Sequence, residues 1–200
     1  MKLKSRGCNV YLIDDERFYL IDTGTNADLI LKQVKELDGI IITHAHFDHF
    51  AAAYKVQKEF GCPVFAHRID IPYLLGEKKF QYSGLLGLLA KIGERLFRAK
   101  PPEEVRDVDN LDIKAQIIHT PGHTPGSICI LKEEKLYCGD LLRGRNGLDL
   151  SPKSFCSDYN QYLNSVKKIA ELQFDVVMPG HGSAGSREHY DEILRKIILP

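Results

Sequence analysis

The chain has 200 residues, 44% of them hydrophobic, and its 27 basic and 27 acidic side chains cancel. This length suits one domain with a substantial core, and the charge balance offers no broad electrostatic grip on nucleic acid. The five cysteines are scattered with no C-x-x-C pair, no apolar run is long enough to span a bilayer, and no N-terminal apolar h-region is present, so a disulfide framework is not expected and a cytoplasmic protein is.

Apolar alternation predicts strands at 10–13 and 18–21, joined by a turn at Asp14, Asp15 and Glu16. Leu29, Ile30, Val34 and Leu37 form one stripe, predicting a helix over 27–37. A buried strand is expected at 40–43, then a helix over 50–60 stopped by Gly61, and a strand at 63–66. The segment 68–110 breaks this rhythm. Within it Leu85, Leu89, Ile92 and Leu96 fall at helical spacing over 83–98, weakened by Gly87 and Gly93. A lid-like helical insertion is the expectation there, with core capping, a membrane-surface role or a dimer contact as alternatives. Strands are expected at 114–118, 127–131 and 135–138, then a helix at 158–172, a strand at 174–178 and a helix over 187–198. The grouping of strands predicts an α/β domain with a substantial sheet, and nothing divides 1–200 into two units.

The densest chemistry follows the strand at 40–43, in His44-Ala45-His46-Phe47-Asp48-His49. At a strand end side chains alternate with period two, so His44 and His46 point the same way. A turn into helix would swing Asp48 and His49 onto a second bearing. That geometry offers two ligands to each of two neighbouring metal ions. Three further groups each follow an apolar run and sit beside glycine: His123 in Pro121-Gly122-His123, Asp140 in Cys138-Gly139-Asp140, and His181 in Pro179-Gly180-His181-Gly182. Glycine lets the chain turn sharply and approach a site closely.

In these motifs the chain resembles the metallo-β-lactamase superfamily, in its hydrolase branch, over nearly its whole length from Asp22-Thr23-Gly24 to the His181 turn. The resemblance implies an αββα sandwich of two mixed β-sheets with helices on the outer faces. It also implies that His44, His46 and His123 hold one metal, that Asp48, His49 and His181 hold a second, and that Asp140 bridges them. Asp22 matches a position that supports such a site from behind, and His119 is expected in a supporting or structural role. Asp48 and Asp140 are the expected catalytic groups.

Two divalent ions sharing a water bring its pKa to around neutrality. The expected activity is therefore hydrolysis of a small ester, thioester or lactone by a metal-bridging hydroxide. Zinc is the expected metal, with iron and manganese compatible with the same ligands. An aspartate at 140 resembles the glyoxalase II and lactonase-like branches rather than the β-lactam-hydrolysing ones. The helical extension by which glyoxalase II holds glutathione is not seen after His181, so glutathione is not the expected thiol. Two ions, two aspartates and a hydroxide leave a site of about +1, which suits an anionic small molecule, and Arg143 and Arg145 are candidates to grip it. A solvated loop is the alternative reading of those arginines.

Competing functions are a phosphodiesterase or nuclease on the same metals, a di-iron redox protein, and a scaffold with a vestigial site. Neutral charge weighs against the nuclease, His46 and the lack of a flavin domain against the redox protein, and the intact ligand set against the scaffold. His67 is expected in the core or at the rim, His189 facing solvent, and Cys138 in core packing. No nucleic-acid partner or membrane span is expected; the oligomeric state is open, with a dimer as one option.

Overall fold

The computed structural model describes residues 1–80 and 99–198. The first sheet runs in the order β1 (Lys2–Leu3), β2 (Val10–Asp14), β3 (Phe18–Ile21), β4 (Gly39–Ile41), β5 (Val64–Ala66) and β6 (Val105–Asp107). Its first three strands pair antiparallel and its last four parallel, so the sheet is mixed. The second sheet contains β7 (Gln116–His119), β8 (Ile128–Lys132), β9 (Lys135–Gly139), β12 (Val176–Pro179) and β13 (Gly185–Ser186), ordered β13-β12-β9-β8-β7. It too is mixed, because β12 lies parallel to β9. A separate ribbon, β10 (Leu142–Gly144) and β11 (Leu148–Leu150), follows Asp140.

Strand alternation builds the layers. Tyr19, Ile21 and Ile41 point inward and meet Ile128, Ile130 and Tyr137 of the second sheet. Their neighbours Leu20 and Ile40 point outward, into a cluster with Ile30 and Val56. Those two belong to α1 (Ala27–Leu31) and to the region of α3 (Ala53–Phe60). On the far side Cys129, Leu136, Cys138 and Val177 pack on Tyr162, Val166 and Tyr190, from α5 (Tyr159–Lys168) and α6 (Arg187–Ile198). Successive strand residues serving opposite faces give two buried layers per sheet, hence the αββα sandwich. Cys138 lies in this packing, as expected.

Several boundaries differ from the sequence reading. The helix expected over 27–37 stops at Leu31, where the chain tightens and the Gln33 amide bonds three residues back to the Ile30 carbonyl. The Gln33 side chain then clasps the Lys4 backbone from both sides. The helix expected over 50–60 is two pieces, α2 (Phe47–Phe50) and α3. The break arises because the His49 carbonyl accepts from Thr23 and Gly24, while the Ala52 amide donates to Gly24. Gly61 does end α3, in the left-handed conformation. The segment 68–110 contains α4 (Ile71–Leu74) and the edge strand β6. The helix expected over 83–98, and the lid reading with it, lies outside the described residues. Among the described residues no helix is long and apolar enough to cross a membrane.

Candidate metal centre

The seven chemistry-bearing side chains converge at the C-terminal ends of the central strands. His44 and His46 follow β4, Asp48 and His49 sit in α2, His123 lies in the β7–β8 loop, Asp140 follows β9 and His181 follows β12. Their potential ligand atoms form three overlapping groups, each within 4.8 Å: His44, His46 and His123; His44, His49 and Asp140; Asp48, His49 and His181. His123 Nε2 lies 3.0 Å from His46 Nδ1, and His49 Nε2 lies 3.4 Å from His181 Nε2. Asp48 Oδ2 is 3.1 Å from His181 Nε2. The Asp140 carboxylate stands between the outer groups. Its Oδ1 is 3.3 Å from His49 Nε2 and 3.5 Å from His181 Nε2, and its Oδ2 is 3.7 Å from His123 Nε2.

The glycines of these motifs explain the approach. A Cβ on Gly180 would stand 2.6 Å from both Asp140 Oδ1 and His49 Cε1, and one on Gly139 would stand 2.7 Å from Thr43 Oγ1. Only glycine allows the β9 and β12 ends to close on the site in this way.

Supporting contacts fix the rings. Asp22, itself in the left-handed region at φ 58°, accepts from the Thr43 amide at 2.8 Å and from Thr43 Oγ1 at 2.8 Å. Its Oδ2 also lies 2.7 Å from His49 Nδ1. The Thr43 hydroxyl has one proton and gives it to Asp22, so at 3.1 Å it accepts from His44 Nδ1–H. In the neutral rings this network places the hydrogen of both His44 and His49 on Nδ1 and leaves Nε2 as the lone-pair nitrogen. His44 Nε2, His123 Nδ1 and Asp140 Oδ1 are buried without a hydrogen bond. Buried polar atoms are normally satisfied, and a convergent set of lone pairs suits a cation.

Protonation follows the same logic. Burial, reinforced by the neighbouring imidazoles, pushes His44 well below the usual histidine range. Burial likewise lowers His46 to about 4 and His123 to about 3. These three are neutral at pH 7, the form that binds metal. Burial acts on His49 in the same direction, yet the acidic groups around it raise it well above the usual value. Cys8, held as a thiol by burial with a pKa of about 11, adds little charge, so Asp22, Asp48 and Asp140 carry that shift. Burial opposes ionisation of Asp48, but His49 and His181 outweigh it and lower the carboxyl to about 2. Asp140 is lowered further by His49, His123 and His181.

Other expected residues lie around this centre. His119 joins none of the ligand groups; its Nε2 is 2.9 Å from the Pro125 carbonyl oxygen and its ring stacks on buried His67 at 3.9 Å. It therefore braces the loop that carries His123. Arg143 lies on β10 and Arg145 just beyond, where the Gly144 amide donates to the His181 carbonyl at 2.8 Å. Both arginines line a cleft of about 300 Å³ together with His181. Arg143 is half-buried on β10, and Arg145 is exposed in the turn between β10 and β11. A second cleft, of about 400 Å³, opens on the other side beside His46 and His123, walled by Tyr73, Phe80 and Phe155. His189 is exposed, as expected. The sequence reading did not single out Cys8, whose sulfur groups with Asp22 and His49, nor the buried Asp70. Neither has a local pattern that marks it.

Comparison with known proteins gives a consistent picture. The family model of the metallo-beta-lactamase superfamily matches residues 3–181. The chain is 33% identical over 204 aligned positions to the probable metallo-hydrolase MJ0888 of Methanocaldococcus jannaschii, covering 94% of each. It is 29% identical to the hydroxyacylglutathione hydrolase GloC of Haemophilus influenzae, covering 89% of this chain and 86% of that one. Its fold matches the crystal structure of TTHA1623 in a di-iron-bound form with a TM-score of 0.69 and 26% identity, covering 90% and 89% of the two chains.

Proposed function

This chain belongs to the metallo-beta-lactamase superfamily, and on that premise we propose that it is a dinuclear metal hydrolase of small thioesters, esters or lactones. The observation that carries the reading is the Asp140 carboxylate, with one oxygen toward His49 and His181 and the other toward His123. In this reading His44, His46 and His123 hold one divalent ion, Asp48, His49 and His181 hold the other, and Asp140 is shared. Bound there, two such ions would supply Lewis acidity and lower the pKa of a shared water from near 16 to around neutrality.

The chain's own residues do the rest. Asp22 holds the His49 ring and, through Thr43, the His44 ring. Asp48 steadies His181, and Asp140 balances charge between the two groups. Arg143 and Arg145 receive an anionic end of the substrate in the cleft beside His181, and the cleft beside His46 and His123, where Lys79 and Lys153 join Tyr73, Phe80 and Phe155, takes the other limb. The thioester preference draws support from the hydrolase activity in the name of GloC. Zinc suits the imidazole and carboxylate donors, and the di-iron-bound form of TTHA1623 makes iron the second metal to test. One domain over 1–200 in the cytoplasm completes the reading.

Metal analysis joined to a substrate panel tests it: thioesters, lactones, aryl esters, phosphodiesters and a β-lactam. The expected result is two divalent ions per chain and acyl turnover that a chelator abolishes and added metal restores. Phosphodiester cleavage without acyl turnover would overturn the assignment.

A further inference from the structure

We infer that Asp70 is a positioning residue for the metal centre, a buried carboxylate that locks the loop carrying His44 and His46 onto the loop carrying His123. Asp70 is fully buried and forms no ion pair among the described residues. Its Oδ2 accepts from the Ala45 amide at 2.9 Å and from Thr124 Oγ1 at 2.6 Å. Its Oδ1 accepts from the Gly126 amide at 2.7 Å. Ala45 lies between His44 and His46, and Thr124 follows His123 directly. One carboxylate thus joins a loop leaving the first sheet to a loop of the second, immediately behind the imidazoles that meet at 3.0 Å.

The surroundings are built for this contact. The Gly126 backbone comes so close that a Cβ there would stand 2.6 Å from Asp70 Oδ1. The hydroxyl chain also has a fixed direction. Thr124 gives its one proton to Asp70, so Ser127 Oγ, 2.7 Å away, donates to Thr124, and the Thr124 amide donates to Ser127 Oγ at 2.9 Å. Three donors converge on Asp70, so an amide in its place must turn a donor toward another donor. Mutating groups that hydrogen-bond to metal ligands typically costs about 10–100-fold in metal affinity, and Asp70, which holds the backbone beside His44, His46 and His123, is assigned an effect of that order.

This role rests on the two-ion reading of the centre. The experiment is a competition titration of the full chain with a chromophoric chelator and zinc, comparing wild type with Asp70→Asn, Thr124→Val and Thr124→Ser. It is paired with imidazole NMR of the metal-free proteins. The expected result is one zinc equivalent weakened by about 10–100-fold in Asp70→Asn, a smaller loss in Thr124→Val, and recovery in Thr124→Ser. In the metal-free variants the His46 and His123 resonances move while those of His49 and His181 hold. Unchanged affinity in both Asp70→Asn and Thr124→Val, or equal weakening of both equivalents, overturns the role while leaving the two-ion reading intact. A wild-type chain that binds no zinc overturns the reading of the centre and the role with it. If Asp70→Asn does not fold, the pair of Thr124 variants decides the matter alone.

Discussion

Asp22 Oδ2 and His49 Nδ1 meet at 2.7 Å, with both side chains shut off from solvent. The contact keeps hydrogen on His49 Nδ1 and aims Nε2, the nitrogen that must lose its proton to bind metal, at Asp140 and His181. Asp22 also adopts a left-handed backbone, which asparagine tolerates and alanine resists. Asp22→Asn should therefore keep the backbone but weaken metal binding by about 10–100-fold. Asp22→Ala should add a fall in thermal midpoint. Chelator competition and thermal denaturation of both variants check this. Equal affinities for Asp22→Asn and wild type would contradict the role of the contact.

Much of the centre was legible because each ligand motif carries a local signal. His44, His46 and His49 crowd a single run, and His123, Asp140 and His181 each have an adjoining glycine whose necessity the close packing at Gly122, Gly139 and Gly180 explains. The central strands were legible from alternation. The short strands β1, β6, β10, β11 and β13 were not legible, because they lack the apolar run that marks β4 and β5. Asp70 was illegible for another reason. It falls in the segment that breaks the strand and helix rhythm, and its partners Ala45, Thr124 and Gly126 come from distant stretches. The break between α2 and α3 was hidden in the same way, since Thr23 and Gly24 capture the His49 carbonyl from outside the helix.

The histidines of the metal-free protein should titrate unequally. Burial holds His46 at about 4 and His123 at about 3, so neither should show a step between pH 8 and 5, whereas His49 should stay protonated near neutrality. Metal uptake at pH 7 then displaces the His49 proton. For stability the sign is fixed by the unfolded value of 6.5. His44, His46 and His123 lie below it when folded, so acidification from pH 6.5 toward 4 protonates the unfolded chain first and destabilises the fold. His49, raised instead, contributes stability below 6.5 that is lost as pH rises through its folded value. Three depressed groups oppose one raised group, and the metal-free protein should weaken on acidification. Below 3.8, Asp48, lowered to about 2, adds a further loss. Site-resolved NMR and denaturant unfolding across pH 8 to 4 measure both parts; an ordinary titration of His46 near 6.5 would be incompatible with this picture.

Removing Asp140 should separate metal retention from turnover. Each outer ligand group keeps three side chains without it, so Asp140→Ala is expected to retain some metal. The shared negative charge between the groups is lost, and turnover should fall by several orders of magnitude. Metal content and kcat are measured on the same preparation. Near-normal turnover in Asp140→Ala would rule out a shared carboxylate.

The arginines beside His181 should act on substrate choice alone. The ribbon pairs Arg143 across from Asp149, yet neither Arg143 nor Arg145 joins an ion pair among the described residues. Both line the cleft that opens at His181, and Gly144 between them is tied to the His181 carbonyl. The ribbon is thus registered to the centre, and its guanidinium groups are available to a carboxylate in a bidentate manner that lysine cannot reproduce. Arg143→Ala and Arg145→Ala should each raise KM for a carboxylate-bearing thioester by about tenfold while leaving kcat nearly unchanged, the pattern of binding lost equally from ground and transition states. A neutral thioester should be indifferent to either change, and Arg→Lys should not rescue. Steady-state kinetics on the matched pair of substrates decides it: an equal effect on the neutral compound would mean that the ribbon shapes the centre rather than recognising charge.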